Sequence, residues 1–186
     1  MDEYELQNYL WRHATVLQHN YLCPNVYLYD WESDFISTTR AGFVNEYEIK
    51  ITNADFMADF KKIEKHQIIP NGFRDPSIYE IAYIERAREC EKDGIPHHYL
   101  KKLTATNKII GSRPNYFWYI CPEGIIKIED VPIYAGLLIT REHHKNPIQI
   151  KPAPRLHREP ISEKLKQKIL VSLSYKYWKL RIPQEY

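Results

Sequence analysis

The stretch Gly42-Phe43-Val44-Asn45-Glu46-Tyr47-Glu48-Ile49-Lys50-Ile51-Thr52 decides how this 186-residue chain is read. Polar and apolar residues alternate along it, and residues two apart on a strand share a face. Glu46, Glu48 and Lys50 therefore project one way, and Ile49 and Ile51 the other. The preceding residues 26–39 are rich in strand formers: Val26, Tyr27, Tyr29, Trp31, Phe35, Ile36 and Thr38. Arg40-Ala41-Gly42 between the two runs is a short turn, with a glycine free to take positive φ. The pair reads as a β-hairpin. Glu32 and Asp34 share one face of its first strand, and the hairpin brings Asp34 opposite Glu48 and Lys50.

Two carboxylates held side by side repel unless a cation sits between them. Mg²⁺ favours oxygen ligands and keeps several of its waters. Asp34, Glu48 and the backbone carbonyl of Ile49 would be natural ligands for Mg²⁺ or Mn²⁺. A metal-bound water is easier to deprotonate than bulk water, and the ion offsets charge on a phosphate. Lys50 would orient or deprotonate the attacking water, or stabilise developing charge. The bland alternative is a solvated strand face whose Glu-x-Lys makes a weak ion pair.

Outward from the hairpin, residues 3–19 read as an amphipathic helix with Leu6, Tyr9, Leu10, His13, Val16 and Leu17 at helical spacing. Cys23-Pro24-Asn25 breaks that pattern. Downstream, Thr52 is a helix N-cap with an acid three residues on, and the helix is expected to reach about residue 65. Residues 67–113 look like a helical insertion with helices over 76–92 and 97–103. Tyr116-Phe117-Trp118-Tyr119-Ile120-Cys121 reads as a strand buried on both faces. Residues 133–140 form a second such strand, reached through a short crossing segment near 127–131. Three prolines between 147 and 154 predict an extended loop up to Pro160. A basic helix closes the chain over 158–181, capped by Ser162. The order predicts an α/β domain spanning residues 1–186, built on a mixed sheet flanked by helices.

The formal charge of +2 hides an asymmetry. Residues 1–60 carry three Lys/Arg against ten Asp/Glu, and residues 151–186 carry nine against three. An acidic region that holds a cation and a basic tail that holds phosphates suit an enzyme acting on a polyanion; a merely solvated surface fits the charge equally well. Fifteen tyrosines and four tryptophans either fill the core or stack on bases. Cys23, Cys90 and Cys121 are odd in number and widely spaced, which points to reduced thiols and a cytoplasmic setting. No apolar run is long enough for a membrane span, and no glycine pattern for a nucleotide cofactor is present. The pairs His97-His98 and His143-His144 lack zinc-site spacing. Asp55, Asp59 and Lys62 read as surface helix pairs, and His66 as a cap on the dipole at a helix end in preference to a phosphate ligand.

Residues 48–62, EIKITNADFMADFKK, resemble the EIK-x-S-x-x-DF-x-x-D-x-K signature of MmcB-like proteins of the PD-(D/E)XK nuclease superfamily. The segment YFWYICPEGII…VPIYAGLLIT (116–140) and KPAPRLH (151–157) are similar to later parts of that family's pattern. The likeness spans about 26–66 and 114–157. It implies a restriction endonuclease-like core, αβββαβ, and a Mg²⁺- or Mn²⁺-dependent DNA endonuclease acting in repair, recombination or processing of mobile or viral DNA. The first motif's acid maps onto Asp34, in Ser33-Asp34 rather than Pro-Asp; Glu48 and Lys50 match the second motif unchanged. Some members add a glutamate from the first helix, for which Glu3 and Glu5 are the candidates. DNA is then the expected partner, gripped by Lys61, Lys62, Arg113, Arg155, Lys164 and Lys168. A non-catalytic nucleic-acid-binding or protein-interaction module on the same fold is the alternative. Many nucleases pair to cut two strands, so a homodimer is allowed.

Overall fold

The fold is taken from a computed structural model, which describes residues 1–72 and 113–182. Six strands form one mixed sheet in the sequential order β1-β2-β3-β4-β5-β6. They are β1 Asn20–Val26, β2 Ser33–Thr38, β3 Val44–Ile49, β4 Tyr116–Pro122, β5 Ala135–Thr140 and β6 Ile148–Lys151. The helices are α1 Glu3–Val16, α2 Asn53–Asp59, α3 Ile63–Asn71 and α4 Glu163–Arg181. β2 runs antiparallel to both β1 and β3; β3, β4 and β5 are parallel; β6 returns antiparallel to β5.

The hairpin forms between β2 and β3, with Phe35 opposite Tyr47 and Ile36 opposite Glu46. Its turn closes through Gly42 N–H to Thr39 O at 2.9 Å, and Gly42 has a φ of 81°. The first strand of the sequence reading, 26–39, is in fact two elements. β1 ends at Val26, and the chain turns at Tyr27–Glu32 before β2 begins. The proline that broke the helix pattern lies inside β1. β1 is an edge strand, and an edge has a side where a missing N–H costs no ladder bond. The predicted loop after Pro147 likewise contains the opposite edge strand, β6.

α1 is set by a capping box between Asp2 and Glu5. It lays Leu6 and Leu10 on Phe35, Tyr47, Ile49, Ile120 and Leu138. The other face of the sheet is covered by α2 and α3, whose Phe56 and Ile69 join Phe117, Tyr119, Val131 and Leu137. α4 packs Ile169 beside them against Cys23, Val26, Ile36 and Val44. Thr52 and Ser162 act as N-caps, as their positions imply.

The single helix expected from 52 to about 65 is two. α2 stops at Asp59, and the link tightens into i→i+3 bonds, Lys61 N–H to Ala58 O at 3.1 Å and Lys62 N–H to Asp59 O at 2.9 Å. α3 then continues to Asn71 with Pro70 in its last turn. Ile68 and Ile69, which fall within the insertion expected over 67–113, belong to α3 and are buried in the core. The helices expected over 76–92 and 97–103 lie outside the described residues. The β4–β5 crossing is a short one carrying a 3-10 turn, Ile128–Asp130.

β5 approaches its surroundings closely at Gly136. A Cβ there would lie 2.4 Å from the Trp118 ring and 2.7 Å from the Ala153 backbone nitrogen. Since a backbone nitrogen cannot rotate away, Gly136→Ala is expected to cost about 1–3 kcal/mol or more. Chemical denaturation of the variant should show a lowered midpoint with an unchanged slope.

Candidate active site

β3 is buried at all six positions, sandwiched between α1 and the α2–α3 pair. The consequence for its charged residues is severe: Glu46 is 0% exposed, Glu48 1% and Lys50 3%. The solvated-face alternative is thereby overturned. A central strand carrying two acids, with an ammonium one residue past its end, must satisfy them internally, since an unpaired buried charge costs several kcal/mol.

Glu48 and Lys50 are satisfied by a cluster at the end of the sheet where β2 begins and β3 ends, while Glu46 Oε2 is buried without a hydrogen-bond partner. Lys50 Nζ lies 3.3 Å from Glu48 Oε2 and 3.3 Å from Asp59 Oδ1. The other oxygen of Glu48 is in close contact with the ammonium of Lys65, which is itself buried. Asp59 is 1% exposed and is the hub. Its Oδ1 also meets Lys62 at 3.0 Å, and its Oδ2 meets His66 Nε2 at 3.1 Å and the Tyr119 hydroxyl at 3.1 Å. His66 Nδ1 in turn faces the Tyr134 hydroxyl at 2.6 Å. Asp59 is therefore no surface pair, and His66 no dipole cap; both are pulled inward because the α2–α3 corner folds onto the sheet.

Asp34 reaches the cluster from β2. Its Oδ2 accepts the Ile49 N–H at 2.7 Å. Burial, then the nearby charge of Glu48, push its carboxyl up to about 7, against the pull of the Ile49 N–H, Lys50 and Lys65. Burial also pushes Glu46 up to about 7, despite Lys65. Glu46 Oε1 is held by Trp31 Nε1 at 2.6 Å and Ser33 Oγ at 2.9 Å. Asp59 goes the other way. Burial alone would raise it, but His66, Lys65, Lys50 and Lys62 hold it well below the usual carboxylate range. For Lys50, the attraction of Glu48 and Asp59 outweighs burial and raises its pKa, so it stays an ammonium at neutral pH.

Asp34 is thus bonded to the backbone between Glu48 and Lys50, which pair with each other. The remaining candidates divide. Glu5 is used in the capping box of α1. Glu3 binds Gln7 at 3.1 Å and Asn25 at 3.3 Å, and that Gln7 donates to the Asp34 carbonyl at 3.2 Å. Glu3 is therefore one side chain away from Asp34 rather than against its carboxyl. Arg113 is no free phosphate grip: its guanidinium donates to the carbonyls of Ile69, Pro70 and Leu156, pinning the end of α3 to the loop after β6. Arg155 donates to the Tyr116 hydroxyl at 2.8 Å and lies 4.5 Å from the centre of the Phe43 ring, while remaining exposed. Lys61, Lys62, Lys164 and Lys168 are on the surface, Lys62 through its tip on Asp59 and Lys168 near the Leu28 carbonyl.

Among the described residues, no group of three or more His, Cys, Asp or Glu side chains is placed to hold a metal ion. Asp34 and Glu48 offer two carboxylates, and a third protein ligand would be the Ile49 carbonyl. That donor set is all oxygen and leaves room for waters, as Mg²⁺ requires. The Asp34 carboxyl is raised first by burial and then by Glu48, and a cation between the two acids would relieve both. The residues fit such an ion provided Lys65 gives up its contact with Glu48.

Lys65, Asp59 and Tyr119 went unread as members of this site. The one available signal was that Asp59, Lys62 and His66 fall at i, i+3 and i+7, one helical face with Phe56. Nothing in the sequence said that this face meets β3.

Fold and site together describe an α/β protein with a buried carboxylate–ammonium cluster at one end of a mixed sheet. No protein-family model matches the chain, and no curated protein matches it. Among solved structures it is similar to SPO1766, a protein of unknown function from Silicibacter pomeroyi. The TM-score is 0.57 at 16% identity, covering 97% of this chain and 92% of that one. At that identity the likeness is one of fold alone. No helix among the described residues is long and apolar enough to cross a membrane, and Cys23 and Cys121 are free and buried.

Proposed function

We propose that this chain is a Mg²⁺- or Mn²⁺-dependent deoxyribonuclease with a restriction endonuclease-like core. The observation that carries the reading is the convergence of Asp34, Glu48 and Lys50 from adjacent strands, with Asp34 raised to about 7 by burial and by Glu48. The element order α1-β1-β2-β3-α2/α3-β4 also follows the αβββαβ plan that the sequence resemblance implies. A divalent ion bound by Asp34, Glu48 and the Ile49 carbonyl would supply an acidified water and offset charge on the scissile phosphate. Lys50 is held between Glu48 and Asp59 as a fixed cation. In that state it donates hydrogen bonds to orient the attacking water and stabilises charge that develops on the phosphate oxygens. It does not act as the base. Lys61 and Lys62, exposed at the corner after α2, supply phosphate contacts beside it.

The test is cleavage of labelled single-stranded, duplex, flap and four-way-junction DNA with Mg²⁺, Mn²⁺ or EDTA. Metal-dependent cutting of any member supports the reading and names the substrate. DNA binding without cutting of any member moves the chain to the alternative, a non-catalytic nucleic-acid-binding module on the same fold.

A second readout needs no turnover. Asp34 must lose its proton to hold metal, so metal competes with protonation. Because its carboxyl titrates near 7, thermal stabilisation by Mg²⁺ or Ca²⁺ is expected to be small at pH 5.5 and to grow through pH 8. Asp34→Asn should abolish that growth. An equal metal-induced shift at both pH values would argue against Asp34 as a ligand.

A further inference from the structure

Helix α4 runs along β1 toward the end of the sheet that carries Asp34. Ser172 Oγ lies 3.7 Å from Cys23 Sγ, and Lys176 Nζ donates to the Asn25 carbonyl at 3.1 Å. Positions 172 and 176 of the helix thus follow 23 and 25 of the strand. Asn25 continues the connection inward: its Oδ1 accepts from Gln7 Nε2, which also donates to the Asp34 carbonyl. Asn25 adopts a left-handed φ of 46°, a conformation asparagine tolerates better than most residues. Residues 177–181 then project past this junction, at about 1.5 Å per residue.

What those last turns display is unusual for a free surface. Among the described residues beyond Leu173, only Lys176 is partly covered. Tyr175 is 76% exposed and Trp178 56%, one helical turn apart on the same face. Lys179 and Arg181 flank them, and Arg181 lies 5.7 Å from the centre of the Tyr177 ring. Over Glu163–Arg181 six Lys/Arg face a single acid, Glu163. A second copy docked helix to helix would set six cations against six. A polyanion takes them as they stand. Duplex DNA hides its base faces, so bare aromatic rings would add little to phosphate contacts there. A single strand offers both phosphates and open base faces, and stacking on such rings is tolerant of sequence.

We propose that the last two turns of α4 form an arm that binds single-stranded nucleic acid next to the site. Tyr175 and Trp178 stack on successive bases, and Lys179 and Arg181 hold phosphates. The link of this arm to strand cleavage rests on the nuclease reading; the binding itself does not.

The experiment measures fluorescence anisotropy of a labelled 20-nucleotide DNA, the RNA of the same sequence and the blunt DNA duplex, all in EDTA so that nothing is cut. It uses the full chain and the double variant Tyr175→Ala/Trp178→Ala. The single strands are expected to bind tighter than the duplex. The double variant should lose between about fivefold and 150-fold in single-strand affinity per ring removed, with duplex affinity and melting temperature unchanged. The RNA arm decides whether the strand is DNA alone or either nucleic acid. Equal affinity for single strand and duplex, or an unaltered double variant, overturns the proposal. So does a concentration-dependent dimer in sedimentation that the double variant abolishes, since the face then serves a second copy. Single-strand binding that depends on the rings in a chain that cuts nothing would keep the arm and remove the nuclease. Cutting that the double variant leaves unchanged, together with unaltered binding, would do the reverse.

Discussion

Asp34→Asn and Lys50→Ala are each expected to reduce metal-dependent DNA cleavage by at least about a thousandfold, while DNA affinity in EDTA stays within about threefold. The two variants fail for different reasons, and stability separates them. Burial, and after it the charge of Glu48, raise the Asp34 carboxyl to about 7, so at pH 8 the metal-free protein holds a buried negative charge beside a like one. Asparagine removes one of them and keeps the shape and the Ile49 contact. Asp34→Asn should therefore melt about 2–6 °C higher than the parent at pH 8 in EDTA. Lys50→Ala has the opposite effect, because it strips Glu48 and Asp59 of a shared cation 3.3 Å from each. A variant that is inactive but more stable is the signature of a residue kept for chemistry rather than for folding. If Asp34→Asn cuts as well as the parent, the assignment of that acid fails.

The second large effect is at Asp59. Its carboxylate serves Lys50, Lys62, Lys65, His66 and Tyr119 from a position 1% exposed. Asp59→Ala leaves Lys50 and Lys65 buried with only Glu48 between them. Breaking a buried pair from one side costs about 3–5 kcal/mol, which for a chain of this size lowers the melting temperature by about 6–20 °C. Removing the exposed partner instead, in Lys62→Ala, should cost no more than about 0.5–1 kcal/mol. The contrast holds the argument even if Asp59→Ala does not fold.

Among the three buried acids, the pH dependence of Asp59 is opposite in sign to that of Asp34 and Glu46. Asp59 is depressed in the fold, so its stabilising contribution is complete above the unfolded carboxylate value of about 4 and fades as pH falls below it. Asp34 and Glu46 are raised to about 7. Between about pH 4 and 7 the folded chain holds their protons and the unfolded chain does not, so their contribution weakens as pH rises through that window. Calorimetric scans from pH 3 to 8 in EDTA should show loss of stability at both ends, and Asp59→Asn should flatten only the acid limb.

How much of this was legible can be seen residue by residue. The alternation over Glu46, Glu48 and Lys50 was enough to place them on one face of a strand, because a period of two is a local property of extended backbone. The hairpin followed from that strand, from Gly42 and from the strand formers before it, so the meeting of Asp34 with Glu48 was also within reach. Thr52 and Ser162 announced their helices through side chains that bond within three residues. The two edge strands were hidden, since Pro24 in β1 and the prolines around β6 read as breaks. Proline is tolerated where a strand has a free edge, and being an edge is decided by what pairs alongside.

The sequence by itself determined the local order of helices and strands, the caps, and the shared face of Glu46, Glu48 and Lys50, because each depends on residues a few positions apart. Tertiary structure alone decided that this face is buried, that Lys65 and Asp59 close over it, and that Arg113 is a clamp on three carbonyls. The physical reason is that burial and charge pairing are properties of what packs opposite. The partners of β3 come from α2, α3 and β4, and a run such as Asp59, Lys62 and His66 looks the same in sequence whether it meets water or a strand carrying glutamates.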